Sequence, residues 1–148
     1  MIIACNTLHK YFSYIKDNSK YFLFHLPNLV LKEAKNKNIK KILVLSTEST
    51  QISKLYEKKG IEIIYPDKKG KKIISKAIDN ILEGKIFLKD SIALQKYIHN
   101  YYKKNQFEAV ILGCTELPVL HDNFPLILSN IEILNSINIA SKNVLKNL

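Results

Sequence analysis

The feature that most restricts the fold is a set of short, unbroken apolar runs set between longer helix-patterned segments. Lys41-Ile42-Leu43-Val44-Leu45, Ile61-Glu62-Ile63-Ile64-Tyr65 and Phe107-Glu108-Ala109-Val110-Ile111-Leu112 are rich in β-branched residues. Runs of this kind read as strands buried on both faces. Asp67 to Leu82 reads as a long helix closed by Gly84, and Leu88 to Lys104 as another carrying Ile92, Leu94, Ile98 and Tyr102. Strands alternating with helices predict an α/β fold, a parallel sheet with helices on both faces. Pro125 to Leu128 reads as a last short strand, and Ile131 to Leu148 as a final helix. At the other end, residues 1–4 and Tyr21 to Phe24 read as strands. Helices are expected from near Leu8 or His9 to Asp17, and from Pro27 to Lys37.

Two strand ends share an unusual pattern. Gly113-Cys114-Thr115 follows Leu112, and Cys5-Asn6-Thr7 follows Ala4. Each of the chain's 2 cysteines thus stands where a buried strand ends, with a hydroxyl residue close behind. Ligands and chemistry in α/β sheets gather outside the carboxyl ends of the strands. Pro118 suits the first turn of a short helix after Cys114. An isolated cysteine is often a small buried hydrophobe; two in matching surroundings point instead to a pair of thiols.

A third strand end, Ser46-Thr47-Glu48-Ser49-Thr50, precedes a helix predicted to carry Ile52, Leu55 and Tyr56 on one face and to stop at Gly60. Its hydroxyls can cap that helix. They can also cradle a carboxylate, since a helix N-terminus offers free N–H groups and the positive end of the dipole. The two readings are compatible.

Ala4-Cys5-Asn6-Thr7-Leu8-His9 and Leu112-Gly113-Cys114-Thr115-Glu116-Leu117-Pro118 resemble the two cysteine motifs of the aspartate/glutamate racemase family. Glu116 resembles the aspartate racemase branch, because glutamate racemases usually carry His there. The resemblance covers essentially the whole chain. It implies two pseudo-symmetric α/β domains facing each other, with the active site in the cleft and one cysteine from each side. The family's opening strand, Gly-rich first loop and second strand have no counterpart, so the chain is expected to begin late, with an incomplete first domain. Residues 1–37 would be the remnant of that domain, with the helix at 130–148 packing back on it. Residues 38–129 would form the second domain. An uncovered strand edge and apolar surface would favour instability or association, a homodimer included.

The resemblance implies an amino-acid racemase, most closely of the aspartate type, needing neither pyridoxal phosphate nor a metal. Inversion at Cα requires one group to remove a proton and another to deliver one to the opposite face. Cys5 and Cys114 would be those groups, and a helix N-terminus can lower a thiol below its usual value of about 8.5. Asn6, Thr7, Thr47, Thr50, Thr115 and Glu116 would bind a small acidic amino acid. Thr47 and Thr50 match a Thr-rich substrate turn, whose usual Gly is Ser49 here. Glu116 would either satisfy the helix N-terminus or tune Cys114. The acidic residue usual after the last strand is missing near Ser129-Asn130. His9 reads as a helix-start residue near the site, and His25, His99 and His121 as structural or exposed. The alternatives are a related isomerase, of the hydantoin racemase or maleate isomerase type, and a non-catalytic remnant binding a small acid or a partner protein.

The net charge of +10 comes entirely from lysine, without any arginine. Arginine forks are the favoured readers of bases and phosphates. The lysine excess is read as compositional drift, with a basic functional patch as the alternative, and nucleic acid is not expected as a partner. No apolar run approaches a membrane span, and the short apolar N-terminus, with no basic leader before it, is not expected to be a signal peptide. A cytoplasmic location with free thiols is expected.

Overall fold

A computed structural model describes residues 1–58 and 60–146. The described elements are a 3-10 turn at Thr7–Tyr11, then α1 (Phe12–Asp17), α2 (Leu26–Asn36), β1 (Lys41–Leu45), α3 (Glu48–Ile52) and β2 (Glu62–Ile64). There follow α4 (Lys68–Leu82), α5 (Leu88–Asn105), β3 (Ala109–Leu112), α6 (Glu116–Asn123), β4 (Glu132–Asn135) and α7 (Ser136–Leu145).

The strands form one parallel sheet in the order β2-β1-β3-β4. β1 and β3 occupy the centre, which is why their sequences are the most continuously apolar. Leu43, Leu45, Val110 and Leu112 point to one face, where Ile74 and Ile78 of α4, Leu94 and Ile98 of α5, and Leu117 and Leu120 of α6 cover them. Ile42, Val44, Ala109 and Ile111 point to the other face, under Leu26, Val30, Leu31 and Ala34 of α2 and Ala140 of α7. Each such large side chain contributes about 1.5–3 kcal/mol on burial. α7 packs directly against α2. Gly84 closes α4 as predicted, with a positive φ and Lys85 N–H returning to the Asn80 carbonyl at 2.8 Å.

Three local expectations are corrected. The last strand is Glu132–Asn135, not Pro125–Leu128, and the final helix accordingly starts at Ser136 rather than Ile131. Proline has no N–H for a ladder, and Ile127 is 76% exposed. The segment is pinned by side chains instead: Leu126 N–H donates to His121 Nδ1 and Ile127 N–H to Gln95 Oε1. The helix after Thr47 ends at Ile52, which is 74% exposed, so Ile52 and Tyr56 do not share a helical face. Gly60 lies in the turn entering β2 rather than at that helix end.

The strands expected at residues 1–4 and 21–24 reduce to a single parallel bridge between Ile2 and Phe24. The Met1 amino group donates to the Phe22 carbonyl at 2.8 Å, and Phe24 N–H to the Met1 carbonyl at 3.1 Å. A pair of short segments with no third strand beside it cannot propagate a ladder. Tyr21 and Phe22 stand exposed there. Among the described residues no helix is long and apolar enough to cross a membrane.

Candidate active site

Because all strands are parallel, β1, β3 and β4 end on one side of the sheet, at Leu45, Leu112 and Asn135. The residues that follow them are Ser46-Thr47, Gly113-Cys114 and Ser136. The segment after Cys5 arrives at the same place.

Thr47 is the N-cap of α3, its Oγ1 accepting from Thr50 N–H. The Thr7 hydroxyl lies 3.1 Å from that of Thr47 and 2.9 Å from that of Thr50, and the latter two are 3.2 Å apart. Three hydroxyls therefore form one cluster, two from the turn after β1 and one from the first cysteine motif. Thr50 is buried, and Thr7 and Thr47 are partly open. Such a cluster, at a helix start, can donate to a carboxylate after small rotations of its O–H groups.

Asn6 is 2% exposed, and its side-chain amide is engaged at both ends. Its Oδ1 accepts from the Tyr56 hydroxyl, and its Nδ2 donates to Ser136 Oγ at 3.4 Å. Ser136 in turn donates to the Leu112 carbonyl at 2.7 Å, at the end of β3. Asn6 thus ties the first cysteine motif to the strand that carries the second.

Gly113 allows that strand end to sit close to β1. Its N–H donates to the Leu45 carbonyl at 2.7 Å, and a Cβ there would meet that oxygen at 3.1 Å and Ser46 Cβ at 3.2 Å. Cys114 follows at the start of α6 and is 5% exposed. Burial pushes its thiol up to about 12, against the pull of the Leu117 and Glu116 backbone N–H groups, and the Glu116 carboxylate pushes the same way. The lowering expected from a helix N-terminus is therefore overridden by desolvation at Cys114. Thr115 Oγ1 donates to Glu116 Oε1 at 2.9 Å. Cys5 is exposed, and both cysteines are free thiols.

Sequence reading missed Tyr56 and Ser136. Tyr56 is fully buried; burial raises its hydroxyl far above the usual tyrosine value, with Cys114 as the next contributor. Its sequence signal is weak, a tyrosine beside Leu55 in an otherwise charged stretch, and only its burial in the fold shows that its hydroxyl must find a partner. The last strand ends not near Ser129-Asn130 but at Asn135, which is also the N-cap of the final helix. Asn135 Oδ1 caps α7 through the Ile137 and Asn138 N–H groups, both at 3.1 Å. Among the described residues, no three of His, Cys, Asp and Glu gather as a metal site.

With this geometry, comparison with known proteins is informative. The family model for Asp/Glu/hydantoin racemases matches residues 1–143. A glutamate racemase of Aquifex pyrophilus is 28% identical over an alignment of 144 positions that covers 92% of this chain and 53% of that enzyme. The crystal structure of an aspartate racemase homologue from Pyrococcus horikoshii superposes with a TM-score of 0.80 at 25% identity, over 99% of this chain and 65% of that one. The aspartate racemase of Picrophilus torridus shares the fold, with a TM-score of 0.77 at 24% identity over 99% of this chain and 60% of its own. The chain thus spans between 53% and 65% of the length of these relatives. The match over nearly the full chain, together with the parallel sheet common to these structures, shows that the chain belongs to the Asp/Glu/hydantoin racemase family.

Proposed function

We propose that this chain acts as a cofactor-independent amino-acid racemase of the aspartate type, with Cys5 and Cys114 as its acid and base. The observation that carries the reading is the meeting of the two cysteine motifs at one end of the sheet, through Asn6 with Tyr56 and Ser136, and Thr7 with Thr47 and Thr50. A thiolate on one side of Cα takes its proton; a thiol on the other side returns one to the opposite face. Cys114, buried and held protonated, suits the donor in one direction. In the reverse direction it must lose its proton, which requires bound substrate to change its surroundings. The hydroxyl cluster of Thr7, Thr47 and Thr50 takes the substrate carboxylate, with Thr115 and Asn6 at its margin. Glu116 supports aspartate over glutamate, because it stands where glutamate racemases usually carry His.

A second reading, a non-catalytic chain that binds a small acid, draws on two observations. Asn6 is already committed at both ends, and Cys114 is held far from thiolate. Incubation with L- and D-aspartate in heavy water separates the two. Cα deuterium and changing optical rotation are expected for the racemase, with the change in rotation abolished by Cys5→Ser and by Cys114→Ser while the remaining thiol of each variant can still exchange the Cα proton of one enantiomer. Racemisation surviving in either serine variant overturns the two-thiol mechanism. Aspartate binding without deuterium uptake favours the second reading.

A further inference from the structure

We propose that His9 is a positioning residue that fixes the backbone at Cys5 through a single neutral tautomer. Both ring nitrogens are used. Nε2 accepts from the Leu26 backbone N–H at 3.0 Å. An amide can only donate, so Nε2 carries no proton. Nδ1 lies 3.0 Å from the Cys5 carbonyl oxygen, which can only accept. The ring is therefore the neutral form with its proton on Nδ1, donating to Cys5.

The surroundings hold this state. His9 is buried, its ring stacked on Phe12 and edge-on to His25 with centroids 5.0 Å apart. Burial lowers the basicity of both imidazoles. The His9 backbone N–H returns to the Asn6 carbonyl at 3.1 Å, so the ring closes a compact loop around Cys5 and Asn6.

The anchor at the far side is rigid. Leu26 opens α2 and is wholly buried in the core under the sheet. Its N–H is one of the unpaired donors at a helix start, and His9 satisfies it. Residues 1–4, by contrast, pair through the lone Ile2–Phe24 bridge. His9 consequently relays the position of the α2 frame to the backbone of the exposed thiol residue. This role in turnover rests on Cys5 being a reacting group; the hydrogen bond itself does not.

Two replacements divide the ring's functions. His9→Asn places an amide N–H where Nδ1 stands, and His9→Gln places an amide oxygen where Nε2 stands. In the full chain at neutral pH, long-range nitrogen–proton NMR is expected to show His9 as the Nδ1–H tautomer. The Cys5 carbonyl carbon resonance should shift in His9→Gln and stay near wild type in His9→Asn. Aspartate kcat should fall about tenfold or more in His9→Gln with KM little changed, as for a small misplacement of a reacting group, and His9→Asn should recover most of it. An Nε2–H tautomer or an imidazolium in the wild-type chain overturns the proposal even if neither variant folds. An unmoved Cys5 carbonyl in His9→Gln, or equal kcat losses in both variants, overturns it as well. No turnover by wild type refutes the racemase reading, and the tautomer and carbonyl resonances then decide the positioning role alone.

Discussion

Tyr56 donates its hydroxyl hydrogen bond to Oδ1 of Asn6, joining a residue next to Cys5 to a side chain that lies within electrostatic reach of Cys114. The two groups are 50 residues apart in sequence and both buried. Neither belongs to a regular strand or helix. The bond is therefore tertiary in origin, and it holds the two cysteine motifs in register.

Tyr56→Phe keeps the ring packing and removes the donor. Asn6 Oδ1 is then left buried without its partner, which costs about 1–3 kcal/mol. A lower urea midpoint with an unchanged slope is expected. A variant as stable as wild type would show that Asn6 recruits another donor.

The alkaline limb of stability follows from Cys114 and Tyr56. Both have pKa values raised in the folded chain, Cys114 to about 12. Above roughly 8.5 the unfolded chain releases the thiol proton while the folded chain keeps it. The stabilisation is thus complete below that pH and is lost as pH rises toward 12. Cys114→Ala is expected to flatten the dependence of unfolding free energy on pH in this window. An equally steep limb in the variant would contradict the burial argument.

The acid limb involves His25. It caps α2, its Nδ1 accepting from Asn28 N–H at 3.2 Å, and burial, followed by repulsion from His9 once acid protonates that ring, lowers its pKa to about 4. Here the unfolded chain takes up a proton first, so the stabilisation is present above about 6.5 and is lost as pH falls toward 4. His25→Asn keeps a capping oxygen without the titration. Its stability should vary less than that of wild type across this range in pH-dependent urea melts.

The parallel sheet was legible because β1 and β3 are central and apolar throughout, a pattern that leaves few alternatives. The error at residues 125–128 has a physical source. That run is apolar enough for a strand, yet Pro125 and the side-chain anchors His121 and Gln95 remove it from the ladder, while Glu132–Asn135 is an edge strand with a weaker signal. Near the site, the positions of Cys114, Thr47 and Thr50 were legible because they follow the ends of β3 and β1, whereas the strand expected before Cys5 is absent. Tyr56 was not legible, since its burial depends on a turn after a helix that ends early at Ile52. The raised thiol of Cys114 was not readable either. Helix position is a local property, whereas desolvation depends on everything packed around the sulfur.

Gly70 offers a packing test away from the site. A Cβ there would lie 2.2 Å from Cζ of Tyr97, a buried ring whose hydroxyl accepts from Asp67 N–H at 3.2 Å. Gly70→Ala must displace that ring and its bond. The helix propensity gained, about 1 kcal/mol, is outweighed by overpacking of about 1–3 kcal/mol and the lost hydrogen bond. Net destabilisation in thermal melts is expected, and Tyr97→Ala should relieve much of it in the double variant.

Gly113→Ala tests whether close approach of two strand ends matters to the site. The added methyl would press on the Leu45 carbonyl, which is backbone and cannot rotate away, and on Ser46 Cβ. It would also touch the edge of Tyr56 at 3.4 Å. The cheapest relief is a small separation of β3 from β1 beyond their last paired residues, Leu112 and Leu45. That shift would stretch the Gly113 N–H bond to Leu45 and carry Cys114 away from the Thr47–Thr50 turn. Stability should fall by about 1–3 kcal/mol. Substrate-dependent Cα deuterium exchange, compared at equal folded concentration, should fall further than stability accounts for, because misplacement by about 1 Å can cost a hundredfold in rate. Loss of stability with unchanged exchange per folded molecule would show that the spacing of the strand ends serves packing alone.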